Sequence, residues 1–271
     1  MKKTALKRLL ALIFAAFTVF AVCGCTGESG TAKDGSLQKI IEKGELVLGL
    51  DTEFPPMGFI DSNGEIAGFD IDVAREVCRR LGVTLTPVGI DWNEKEDDLN
   101  SGKIDCIWNG FSVTPKRAED MNLSDPYMKN ELILVVLGAS TAKSQEDLKG
   151  GKIGVQDGST AQDAIKKLDI YSDITVMPYE NVMEVLQKLD SGEIDAALVD
   201  SVPAFYYIFS KDKPYYILSD SLAEEEYAIG FRKGDRALRD KVQQILGEMK
   251  TDGTLGEISK KWFGSDITIV K

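Results

Sequence analysis

The chain has 271 residues, 43% of them apolar and 28% charged, enough for a packed globular body of one large α/β domain or two modest lobes. Its formal net charge of −12 repels nucleic acid and anionic lipid headgroups. Histidine is absent, which excludes a Ser-His-Asp triad, a Cys-His pair and any His-ligated zinc; there is also no Gly-rich phosphate loop or GxGxxG, so no cofactor and no metal are expected.

Residues 1–24 read as an export signal. Lys2, Lys3, Lys7 and Arg8 precede an apolar run at 9–22, short of the roughly 20 residues that a spanning helix needs. Val22-Cys23-Gly24-Cys25 then has the pattern of a lipobox. Cys25 is the expected lipidation site, because cleavage before Cys23 would put the bulky Val22 at the cut; a plain signal peptide with two incidental cysteines is the alternative. Cleavage removes four positive charges, taking −12 to −16. Residues 25–36, rich in Gly, Ser, Thr, Lys and Asp, read as a flexible tether.

In the body, 45–51 is an apolar run ending in Asp51, a buried parallel-type strand. A loop over 52–69 follows, then a helix from Asp70 to Leu81 with Val73, Ala74, Val77, Cys78 and Leu81 on one face, stopped by Gly82. A strand at 83–88, a short helix at 94–101 and a strand at 104–109 continue the alternation, which predicts a parallel sheet flanked by helices. Cys78 on the apolar helix face and Cys106 in a strand read as buried thiols, with a disulfide as the alternative.

The heptad Leu99-Asn100-Ser101-Gly102-Lys103-Ile104-Asp105 recurs as Leu189-Asp190-Ser191-Gly192-Glu193-Ile194-Asp195. Two copies of one αβ unit suggest two lobes. Apolar strands at 133–138 and 228–232 sit where the chain must change lobes and read as paired hinge strands. Lobe 1 is then 37–132 with 229–271, closing on helices at 235–250 and 254–262, and lobe 2 is 139–227.

Ligands of open α/β sheets bind beyond the carboxyl ends of the strands, here Asp51 to Phe54, Asn109 to Ser112, Gln156 to Thr160, and Val199 to Asp200. Arg117 is the leading candidate. Pro115 suits the first position of a helix, so Arg117 lies in the first turn, where free N–H groups favour an anion and a guanidinium fits a carboxylate bidentately. Its alternative is a surface arginine among Lys116, Glu119 and Asp120. Ser159 with Gln162 opens a helix over 160–168 as a capping box or as part of a carboxylate cradle. Asp200 ends an apolar strand and is either the acceptor of a primary ammonium or a helix cap. Asp51 has the same two readings, and Phe54 and Trp92 either wall the ligand or pack as core.

The chain resembles the family 3 extracellular solute-binding proteins, the amino-acid receptors of ABC importers. The resemblance rests on Phe54-Pro55-Pro56-Met57-Gly58-Phe59, Gly68-Phe69-Asp70-Ile71-Asp72-Val73-Ala74, Ser112-Val113-Thr114-Pro115-Lys116-Arg117, Ser124-Asp125-Pro126-Tyr127, Asp157-Gly158-Ser159-Thr160, both Ser-Gly-x-Ile-Asp copies, Asp252-Gly253-Thr254 and Lys261-Trp262-Phe263-Gly264, in family order over 37–264. It implies a two-lobed, type II periplasmic-binding-protein-like α/β fold with two hinge strands, and capture of a free amino acid by hinge closure. Arg117 would clamp the α-carboxylate with Ser112 and Thr160. Asp200 and the Gly110 carbonyl would hold the α-ammonium. Phe54 and Trp92 would sandwich the side chain, and Asp51, Asn109 and Gln156 would face its tip. Asn109 departs from the small residue usual in the family. Asp51 points to a hydrogen-bond-donating side chain, glutamine or a basic amino acid, with Glu53 adding negative potential. The implied partners are the free amino acid and membrane permease subunits. The implied state is a non-enzymatic monomer, lipid-anchored at Cys25 on the outer face of the cytoplasmic membrane. The rival readings are a dehydratase acting on an amino-acid-like acid through Asp51 or Glu53, and a sensor serving a separate signalling partner.

Overall fold

The computed structural model describes residues 34–210, 214–218 and 222–271, which form one compact unit. The export signal, Cys25 and the tether up to residue 33 lie outside the described residues. The last tether positions are ordered: Asp34 accepts from the Ser36 and Ala237 amides, and a helix α1 (Ser36–Lys43) begins there.

The first half of the sheet is parallel. The buried run of β1 (Glu45–Leu50) lies between β5 (Thr84–Gly89) and β6 (Cys106–Ser112), in register with both. The loop predicted over 52–69 contains a small antiparallel sheet of β2 (Glu53–Phe54), β3 (Gly58–Ile60) and β4 (Ile66–Ala67). Period-2 patterning cannot show strands this short. Helix α2 (Phe69–Leu81) follows, as its apolar stripe predicts. The short helix α3 (Lys95–Ser101) leads into β6, and α4 (Pro115–Asp120) and β7 (Met121–Leu123) come after it.

The second half repeats the plan. β9 (Lys152–Gln156), β10 (Thr175–Tyr179) and β11 (Ala196–Asp200) are parallel, with α5 (Thr160–Ala164) and α6 (Val182–Ser191) in the crossovers and α7 (Ser201–Ser210) after β11. The helix expected over 160–168 tightens to a 3₁₀ turn at Ile165–Lys167.

The repeated heptad builds the same joint twice. α3 and α6 each hand over through a glycine to β6 and β11. The Asp105 amide donates to Val47 O at 2.7 Å, and its Oδ2 accepts from the Val47 amide at 2.9 Å. The Asp195 amide donates to Lys152 O at 2.8 Å, and its Oδ2 accepts from the Lys152 amide at 2.7 Å. A Cβ on Gly49 would lie 2.5 Å from Ile104 Cδ1, and one on Gly154 2.5 Å from Ile194 Cδ1. Each heptad therefore locks its strand to its parallel neighbour in the sheet, β6 to β1 and β11 to β9, by a carboxylate clasp and an isoleucine pressed on a bare backbone.

Two long antiparallel strands join the halves, β8 (Met128–Leu137) and β13 (Ala223–Arg232), giving the order β10-β9-β11-β8-β13-β6-β1-β5. Their mutual pairing runs from Ala223↔Leu132 to Tyr227↔Met128. The crossing is thus at 128–132 and 223–227, one half-strand before the predicted 133–138 and 228–232. Beyond it β8 pairs with β11 and with β12 (Tyr215–Ile217), while β13 pairs with β6 and β7. Hydropathy marks the apolar ends of these strands because those ends are buried in the two halves; the crossing itself is polar, with Lys129, Asn130, Glu224, Glu225 and Glu226.

One core, including Leu48, Phe69, Val185, Tyr207 and Leu246, runs beneath α2, α6, α7 and the terminal helices α8 (Arg236–Thr251) and α9 (Thr254–Phe263). Two smaller cores lie on the other face, one around Ile153 and Leu198, the other around Leu99 and Phe111. Fully burying such a side chain contributes about 1.5–3 kcal/mol. Cys78 and Cys106 are free, buried thiols, and burial pushes the Cys78 thiol up to about 12. Among the described residues no helix is long and apolar enough to cross a membrane.

Candidate binding cleft

The carboxyl ends of β6, β9 and β11 converge where the two halves meet. A small recess there is lined by Phe54, Trp92, Gly110, Ser112 and Arg117 from the first half and Gln156, Ser159, Thr160 and Asp200 from the second. Strand register produces the convergence: Asp200 opposes Leu132 on β8, Leu132 opposes Ala223 on β13, and Tyr227 farther along β13 opposes Ser112 on β6.

Arg117 is buried, which draws its pKa down to about 10 against the opposing pull of Glu225. Thr114 caps α4 by accepting from the Arg117 amide at 3.1 Å, so the backbone of the residue is fixed. The guanidinium lies 4.0 Å from the Phe111 ring centroid, and Nη1 donates to Ser112 O at 2.7 Å. One edge of the fork is thereby held, and a carboxylate could take others. Across the recess Ser159 caps α5, accepting from the Gln162 amide at 3.3 Å, while Gln162 Oε1 accepts from the Gly158 amide at 3.0 Å.

Asp200 immediately precedes α7. Its Oδ1 accepts from Asn130 Nδ2 and from the Tyr227 hydroxyl at 2.9 Å. Burial, and next the Glu225 charge, raise its pKa to about 7. Asn130 Nδ2 also donates to Glu225 Oε2 at 3.1 Å, which accepts from Ser112 Oγ at 2.6 Å. Asn130, Tyr227 and Glu225 have no signal of their own in the sequence; only the strand pairing carries them to the site.

Gly110 has φ 55°, and a Cβ there would lie 2.7 Å from Phe54 Cε1. Its amide donates to Asp70 Oδ2 at 2.8 Å, and the Tyr127 hydroxyl donates to the same oxygen at 3.0 Å. Asp70 is fully buried, which lifts its carboxyl to about 7 although both donors favour the charged form. This aspartate of the Gly68-Phe69-Asp70 motif fixes the Gly110 peptide from behind.

Gln156 Nε2 donates to Asp51 Oδ2 at 2.7 Å, a bond between the halves. Asp51 lines an adjoining recess with Glu53, Asp91, Trp92 and Glu180; burial raises its pKa to about 6, with Glu53 and Glu180 adding to the rise and the Glu53 amide and Gln156 opposing it. Asn109 is turned away from both recesses. Its Oδ1 accepts from the Asp51 amide at 3.1 Å, and its Nδ2 packs toward Gly58. Eight of the ten residues singled out from the sequence therefore line the central recess, Asp51 lines its annex, and Asn109 stands behind it. Further bonds cross between the halves nearby: Asn93 Nδ2 donates to Asp157 Oδ2 at 3.1 Å, and Lys95 Nζ, buried and held down to about 8, donates to Gly158 O across the gap as well as to Trp92 O in its own half. Among the described residues no group of His, Cys, Asp and Glu could hold a metal ion.

The model of the bacterial extracellular solute-binding proteins, family 3, matches residues 46–265. The L-cystine-binding protein TcyJ of Escherichia coli (strain K12) is 30% identical over 239 residues, 88% of this chain and 89% of that protein. The ABC transporter glutamine-binding protein GlnH of Bacillus subtilis (strain 168) is 32% identical, covering 98% of this chain and 99% of that protein. The crystal structure of Tv2483 bound to L-arginine matches with a TM-score of 0.84 at 32% identity, covering 87% of this chain and 97% of that one.

Proposed function

We propose, from the premise that this chain belongs to the bacterial extracellular solute-binding proteins of family 3, that it captures one free amino acid between its halves and hands it unaltered to an ABC importer. The fold is the type II periplasmic-binding-protein fold of its amino-acid-binding relatives. One observation carries the reading: a buried guanidinium from one half, Arg117, and a buried carboxylate from the other, Asp200, line the same small recess. A zwitterion is the complement of that pair. Arg117 and the Thr160 turn take its carboxylate; Ser112, whose hydroxyl proton goes to Glu225, joins Asp200 and Gly110 O around its ammonium, and Phe54 and Trp92 wall its side chain. Asp51 and Gln156 read the tip.

The two halves act as lobes that close on the ligand. A ligand touching both lobes binds the closed form better than the open one and shifts the population toward it. The closed, loaded form is recognised by permease subunits, and a lipid on Cys25 keeps the chain beside them; Cys25→Ala should move it from the membrane fraction to the medium.

A thermal-shift screen of the twenty amino acids tests the core reading. One or a few, with glutamine, arginine and lysine foremost, should raise the melting temperature, and the bound molecule should be recovered chemically unchanged. A flat screen, or a converted product, would overturn it.

A further inference from the structure

On β13, Glu225 stands directly opposite Asn130 of β8, so the two side chains share one face of the crossing. Ser201 Oγ donates to Asn130 Oδ1 at 3.2 Å, which turns the Asn130 amino group the other way. That single amino group serves two carboxylates, donating to Asp200 Oδ1 and to Glu225 Oε2. Glu225 Oε2 also takes the Ser112 hydroxyl proton at 2.6 Å. Ser112 has one O–H to give; with it committed to Glu225, its oxygen offers lone pairs to whatever enters the recess. The network uses Asp200 Oδ1 and Glu225 Oε2, and it leaves Asp200 Oδ2 and Glu225 Oε1 outside.

We infer that Glu225 is a positioning residue of the ammonium subsite: it turns Ser112 into an acceptor and, through the shared Asn130 amide, places a second negative charge beside Asp200. A primary ammonium, with three donors and a positive charge, is the group such an arrangement selects over a neutral amide or hydroxyl. The inference rests on the reading that Asp200 receives the ligand's ammonium.

Two neighbouring carboxylates resist joint ionisation. The groups facing Asp200 are Glu225 and Tyr227 from β13, Asn130 from β8 and Arg117 from α4, and burial followed by Glu225 raises its pKa most, to about 7. A cationic ammonium favours ionised Asp200, so affinity should fall as pH drops through that value. Removing the Glu225 charge should lower the Asp200 pKa and carry the fall with it.

The test uses the intact chain and Glu225→Gln, which keeps shape and an acceptor, with Glu225→Asp as the charge-restoring variant. Calorimetry with L-arginine and with L-glutamine from pH 5 to 8 should show wild type losing about tenfold in affinity per pH unit below about 7. Glu225→Gln should show the onset about one pH unit lower and roughly tenfold weaker binding at pH 8, with Glu225→Asp restoring both toward wild type. An unchanged onset in Glu225→Gln overturns the assignment. Asp200→Asn tests the underlying reading separately: wild-type affinity in that variant sinks it. Carbon NMR titration of Asp200 in the ligand-free chain reports the Glu225 coupling independently of binding, so the two failures are distinguishable.

Discussion

Gln156 of one half and Asp51 of the other are joined by a 2.7 Å hydrogen bond at the end of the cleft, where a bound side chain would terminate. In the proposed pose it sets a carboxylate whose pKa burial raises to about 6 beside the ligand tip. A cationic tip favours the ionised form, so its binding weakens as pH falls through about 6, whereas a neutral tip is indifferent to that proton. Asp51→Asn should cost L-arginine roughly 10- to 100-fold, the range of a lost hydrogen bond between charged partners, and cost L-glutamine far less. Calorimetry at pH 7.5 with both ligands checks it; equal losses would remove Asp51 from the reading of the side chain.

Arg117→Ala should abolish useful binding while the fold survives. A buried carboxylate left unpaired costs about 3–5 kcal/mol, or a factor of roughly 10² to several thousand in affinity. The guanidinium is itself held at a desolvation cost, so its loss should leave a cooperative melt in the absence of ligand. Near-native affinity in this variant would remove the carboxylate clamp.

Gly110→Ala should damage both stability and binding. A left-handed L-residue costs about 1–2 kcal/mol, and the new Cβ would also strike Phe54 and crowd Tyr227. Gly192→Ala is the control, because Gly192 has φ 75° with open space where its Cβ would go. It should lose stability alone. Binding losses of equal size in both variants would show that strain, and not the wall of the recess, is responsible.

The ligand-free protein should be more stable at pH 5.5 than at pH 8. Asp51, Asp70 and Asp200 have folded pKa values of about 6, 7 and 7, all above the 3.8 of an unperturbed aspartate. Between pH 4 and 7 the folded state therefore holds more protons than the unfolded state, and stability falls as pH rises through that window. A folded pKa that lies one pH unit above the unfolded one is worth about 1.4 kcal/mol, so calorimetric scans should place the melting temperature several degrees higher at pH 5.5. Glu76 and Asp252, held near 2 by hydrogen bonds from Arg79 and Thr254 respectively, act in the opposite sense and below this window.

The body's architecture is legible in the sequence because its signals are local. The stripe on α2, the apolar run of β1 and the duplicated heptad each announce an element within a dozen residues, and the strand ends that they define are where Arg117, Ser112, Gln156 and Asp200 lie. The polar crossing at 128–132 and 223–227 escapes such a reading because its hydropathy resembles a loop; only its partner a hundred residues away makes it a ribbon. Asn130, Glu225 and Tyr227 escape with it. Asn109 reads as a pocket residue because it stands at a strand's carboxyl end in a position that the family resemblance places at the ligand, but its side-chain oxygen accepts from the Asp51 amide.

Among the described residues, that two-stranded ribbon is the whole sheet connection between the halves. Its inner surface carries Asn130, Glu225 and Tyr227, the very groups bonded to Asp200 and Ser112. If the halves close as proposed, they bend about this strip, and cargo settling on those two residues would stiffen it. A membrane complex gripping one outer point on each half could therefore tell a full carrier from an empty one by its resistance to bending, without ever touching what it carries.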